Sequence, residues 1–116
     1  MSKNRYRLLV IITGVIAAAI HILLGVASLG EAFGVPFILN GVIYLALVYA
    51  VAGSPSFLQG RESLVHYLLM GFAALTIVLY FVFNGVEGLS SPAGIITKVD
   101  ELLLILFTWL HLKAGS

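Results

Sequence analysis

An all-α fold, an integral membrane four-helix bundle running up-down-up-down, follows from three observations. The 116 residues are 61% hydrophobic and only 9% charged, with a mean hydropathy of +1.14; a soluble domain is usually about a quarter charged. The apolar residues gather in four runs, each near the ~20 residues that match a bilayer's hydrocarbon thickness. The breaks between the runs are short. The runs fall at about 8–29, 36–52, 63–83 and 92–112. Segments of this length in lipid satisfy their backbone hydrogen bonds internally, so they are helices. Membrane strands would be about half as long and would alternate polar with apolar residues, which these do not.

Each element has its own boundary signals. The segment Met1-Ser-Lys-Asn-Arg-Tyr-Arg7 resembles a signal-peptide n-region. The apolar run behind it is too long for an h-region and ends in no small-residue cleavage site, so it reads as a retained first span. The break Gly30-Glu-Ala-Phe-Gly34 is so short that the first two helices must be antiparallel neighbours. Pro36 suits the first turn of the second helix, where a missing N–H does no harm. The second break runs from Gly53-Ser-Pro-Ser56 to Gly60-Arg-Glu62, and the third through Asn84-Gly-Val-Glu-Gly-Leu-Ser-Ser91. Ser91 as N-cap with Pro92 behind it is a strong start for helix four. The chain is one domain, residues 1–116.

Charge sets the orientation. Lys3, Arg5, Arg7, Arg61 and Lys113 fall on one side of a four-span topology, and Lys98 towards the other. The positive-inside rule then puts both termini in the cytoplasm, in a cell-membrane protein. Tyr6, Tyr49, Tyr67 and Trp109 lie near the same side, as an aromatic belt would. Glu31, Glu87, Asp100 and Glu101 lie towards the outside. In helix one, Gly14, Ala18, His21, Gly25 and Ser28 form a stripe of mostly small residues. That stripe reads as the packed face, because small side chains let backbones approach in lipid.

Ionisable groups at membrane depth are expensive and therefore candidate functional groups. Counting ~1.5 Å per residue from the cytoplasmic edge puts His21 about 20 Å up, Asn40 about 18–20 Å, and Thr76 and Asp100 about 18 Å. Glu101 comes at about 17 Å, and Tyr80 a little above Thr76. These residues form the candidate intramembrane polar site: His21, Asn40, Thr76, Tyr80, Asp100 and Glu101. On helix three, His66, Met70, Ala73, Ile77, Tyr80 and Asn84 share a stripe. On helix four, Thr97, Glu101, Leu104, Thr108 and His111 share a side, with Asp100 about 100° away. Glu101 is the better interior candidate, and Asp100 faces a neighbour or Lys98. A His21–Glu101 pair could carry protons, orient a ligand or hold a metal; the plainer alternative is glue between helices, worth roughly 1 kcal/mol. His66 and His111, near the cytoplasmic surface, are candidate ligands for a metal or the iron of haem b. The plainer reading makes them interfacial side chains.

Several classes are excluded. No cysteine is present, which removes thiolate metal sites and four-helix quinone-linked thiol oxidoreductases. A net charge of +1 makes no case for nucleic acid. Small multidrug-resistance transporters have a similar length and span number but carry a glutamate in helix one, where this chain has His21. No nucleophile–base arrangement and no phosphate loop is visible, so no catalysis is expected. The segments His21-Ile-Leu-Leu-Gly25, Leu79-Tyr-Phe-Val-Phe-Asn84 and Lys98-Val-Asp100 resemble small four-span archaeal membrane proteins, grouped as a domain of unknown function. The resemblance implies a four-helix membrane protein and brings no activity with it. Two classes follow: an accessory or structural subunit, acting with other membrane subunits or with itself, and a binding or transport site for a small molecule, proton or cofactor.

Overall fold

In the computed structural model, which describes residues 2–114, the chain forms four α-helices and, among the described residues, no strand. They are α1 (Lys3–Ala27), α2 (Gly34–Val48), α3 (Glu62–Asn84) and α4 (Pro92–Ala114). A π-helical turn, Tyr49–Gly53, extends α2; 3-10 turns occupy Ser56–Leu58 and Gly85–Ser90. The helices lie within about two residues of the expected starts, except that α1 begins five residues earlier. Polar residues 3–7 continue the helix because the Ser2 hydroxyl accepts from the Arg5 N–H and caps it.

The helix ends follow local chemistry. Gly30 turns the chain between α1 and α2 at φ +93°, a region that favours glycine. Ser91 caps α4 as expected: its hydroxyl accepts from Gly94 N–H at 3.1 Å and its carbonyl from Ile95 N–H at 2.9 Å. The π turn was not foreseen. It exits through Ser54 at φ +46°, and Arg7 Nε of α1 donates to its Ala52 carbonyl at 2.6 Å.

Packing is uneven around the bundle. α1 meets α2 most extensively, then α4, and α3 packs on α4, whereas the consecutive helices α2 and α3 touch little. The small-residue stripe of α1 explains the first contact. A Cβ on Gly25 would lie 2.6 Å from the Gly34 carbonyl oxygen, and one on Gly41 would lie 2.7 Å from the Ala18 carbonyl oxygen. Of that stripe, Gly14, Ala18, His21 and Gly25 are buried and Ser28 is half-buried. The core contains Val10, Ala17, Tyr44, Leu69, Ala73 and Leu104. On α3 the buried set is Val65, His66, Leu69, Ala73 and Thr76, so its inner face is turned towards Thr76 and away from Ile77.

Three segments, Lys3–Ala27, Gly34–Gly53 and Glu62–Ser90, are long and apolar enough to cross a membrane. α4 was expected as a fourth such span. It has the length, 23 residues, but Lys98, Asp100 and Glu101 interrupt its apolar run. All three of these charged side chains turn into the bundle, where they are buried. The outer faces carry exposed Leu23, Leu39, Leu68, Val82 and Leu102. The longest dimension is 41 Å.

Candidate functional site

Glu101 is the centre of the buried polar cluster and has no solvent exposure. Tyr44 of α2 donates its hydroxyl proton to Glu101 Oε2. The other carboxylate oxygen, Oε1, pairs with Lys98 Nζ one turn back on α4. Lys98 also lies over the Tyr80 ring, 4.9 Å from its centroid, so the ammonium sits between a carboxylate and a π face. Neither Tyr44 nor Lys98 was expected in the site.

His21 belongs to the same level but is not the partner of Glu101. Its Nδ1 donates to the Ala17 carbonyl at 2.8 Å; a carbonyl only accepts, so that nitrogen carries the proton. The ring packs against Tyr44 at a centroid distance of 5.6 Å and edge-on to Phe37 at 6.0 Å. The anticipated His21–Glu101 pair is thus replaced by a Tyr44–Glu101–Lys98 chain. A tyrosine one turn beyond Asn40 on the antiparallel α2 reaches across the bundle, whereas the imidazole closes on its own helix.

The remaining expected residues separate into contacts at the same level. Asn40 Nδ2 donates to Thr76 Oγ1 at 3.2 Å, and Thr76 donates to the Phe72 carbonyl at 3.0 Å. This bond ties α2 to α3, the loosest pair of consecutive helices. Tyr80 donates to the Gly88 carbonyl at 2.8 Å, so its hydroxyl closes the α3–α4 connection and only its ring serves the cluster. Asp100 does not pair with Lys98, which Glu101 occupies. Its side chain is nevertheless buried, 8% exposed, and Oδ2 has no hydrogen-bond partner. Asn40 Oδ1 and Thr108 Oγ1 are likewise buried without one. Thr108 stands out from Thr13, Thr76 and Thr97, which each donate to the carbonyl four residues earlier.

His66 and His111 do meet, as the sequence suggested, but through a direct bond. Their rings stack at 5.0 Å with 13° between planes, and His66 Nε2 lies 2.7 Å from His111 Nδ1. His66 Nδ1 donates to the Glu62 carbonyl at 2.5 Å. His66 Nε2 is therefore free to accept from His111. A metal between two imidazoles holds each nitrogen at about 2.0–2.1 Å, as zinc does, so bridging this pair requires the rings to part. Among the described residues no group of three or more His, Asp or Glu side chains is arranged to hold a metal.

Two hollows lie away from the cluster. One of about 250 Å³ sits beneath the α2–α3 connection, lined by Ser54, Gln59, Glu62 and Val65 among others. The other, about 310 Å³, is an open apolar groove between α2 and α3, bordered by Leu47, Tyr67, Gly71 and Phe72. No protein-family model, curated protein or solved structure matches the chain.

Proposed function

We propose that the protein is a four-span membrane protein of structural or accessory type, with both termini in the cytoplasm, that acts as a subunit of a larger membrane complex or as a homo-oligomer. One observation carries this reading. Glu101 is fully buried with both oxygens taken by Tyr44 and Lys98, while large aliphatic side chains cover the outside of every helix. A carboxylate closed off in this way locks helices together and presents no reacting atom to a substrate. α4 fits as a fourth span because Lys98, Asp100 and Glu101 all turn into the bundle rather than facing lipid.

Two experiments test the reading. The chain has no cysteine, so single cysteines at Ser2, Ser56 and Ser90 report topology cleanly. Positions 2 and 56 should label from the cytoplasmic side and position 90 from outside; opposite labelling of 2 and 56 would sink the four-span topology. Native mass spectrometry of the detergent-extracted protein should show an oligomer or a co-purifying subunit. A bare monomer would refute the accessory role.

A second reading, binding or transport of a proton, small molecule or cofactor at the polar level, has one observation in its favour. Asp100 Oδ2 and Asn40 Oδ1 are buried acceptors with no donor from the protein.

A further inference from the structure

The buried charges of α4 do not balance. Lys98 is 5% exposed and Glu101 not at all, and the two form an ion pair that cancels. Asp100, adjacent in sequence and 8% exposed, adds a second carboxyl group with no cation of its own. Its Oδ2 is buried and accepts no hydrogen bond. An isolated ionised carboxylate taken out of water carries a large solvation penalty unless a positive charge accompanies it. The titratable and charged groups of the cluster joined to the adjacent Glu101 can be named helix by helix. They are His21 on α1, Tyr44 on α2, Tyr80 on α3, and Lys98 and Glu101 on α4. Lys98 is committed to Glu101, the neutral Tyr44 hydroxyl donates to Glu101, and Tyr80 donates to Gly88. His21 uses Nδ1 on Ala17. The folded cluster is one positive charge short.

We propose that this cluster binds one monovalent cation, a proton or an alkali-metal ion, with Asp100 as its ligand. The argument needs only burial in the bundle, so it stands apart from the accessory role proposed above. A proton converts Asp100 into a neutral acid that can donate as well as accept. An alkali ion would take the same oxygen as its charged ligand. Either ligand is present in every physiological medium, so occupancy is set by pH and salt.

Binding to the folded state raises its stability by mass action, so the melting temperature reads occupancy. The probe is intrinsic fluorescence of the single tryptophan, Trp109, in protein held in nanodiscs. One series varies pH from 5 to 9 at fixed sodium; the other replaces sodium by N-methylglucamine at fixed pH. The wild type should lose several degrees as the bound cation is withdrawn, and Asp100→Asn, whose cluster is already balanced, should lose only what the histidines contribute in the pH series and nothing in the sodium series. The difference between the two proteins isolates the site from titration of His66 and His111. A response to pH alone identifies a proton, and a response to sodium alone an alkali ion. Equal slopes in wild type and Asp100→Asn, in both series, overturn the proposal. So does a His21→Phe variant that goes flat while Asp100→Asn keeps the wild-type slope, because the charge then rests on the imidazole.

Discussion

The Tyr44 hydroxyl donates to Glu101 Oε2 across the middle of the bundle, joining α2 to α4, which are not neighbours in sequence. Both side chains are fully buried. A buried acceptor that loses its donor keeps its desolvation cost, so Tyr44→Phe should destabilise the bundle by about 1–3 kcal/mol, read as a lower midpoint in an SDS titration. An unchanged midpoint would show that the bond adds nothing.

Lys98 neutralises that same carboxylate. Lys98→Met leaves a buried charge without its partner and should cost roughly 3–5 kcal/mol. Adding Glu101→Gln removes the stranded charge while keeping an acceptor for Tyr44. The double variant should regain most of the loss in the same titration; two additive losses would mean that the pair is not coupled.

Glycines on two faces should respond in opposite directions. A Cβ on Gly25 runs into the Gly34 carbonyl and Ile38, so Gly25→Ala should destabilise by about 1–3 kcal/mol. A Cβ on Gly71 meets nothing within 4 Å, so Gly71→Ala should stabilise α3 by about 0.5–1 kcal/mol. Thermal melts of both variants beside the wild type decide the matter.

The His66–His111 bond should hold α3 to α4 near one end of the bundle. His111→Leu strands His66 Nε2 and should cost about 1–3 kcal/mol. Hydrogen exchange should quicken at the two helix ends and leave the Tyr44–Glu101 level protected. With the nitrogens bonded directly, purified protein should show no Soret band. A Soret band abolished by His66→Phe would instead establish haem ligation.

Much of the architecture could be read directly from the chain. The apolar run lengths, Gly30 and the Ser91–Pro92 start place the helices, because they depend on local backbone chemistry and on hydrophobic length. The common level of His21, Asn40, Thr76 and Glu101 was also visible, since helix rise is constant and the connections are short. Two members of the polar cluster escaped. Tyr44 lies inside the run Val42-Ile-Tyr-Leu45, where a tyrosine looks like any core aromatic. Lys98 looked like an external cation because it precedes the carboxylates near the outer end of α4.

What the sequence determined by itself is therefore the set of helices, their connections and the shared height of His21, Asn40, Thr76 and Glu101 along them. Which polar groups bond was decided only by the tertiary structure. Depth follows from counting residues along one helix, whereas pairing depends on how four helices rotate about their axes. For α1 and α2 that rotation follows from the close packing of Gly14, Gly25 and Gly41. Once it is fixed, Tyr44 and Lys98 reach Glu101, His21 closes on Ala17, and Asp100 is left buried without a donor.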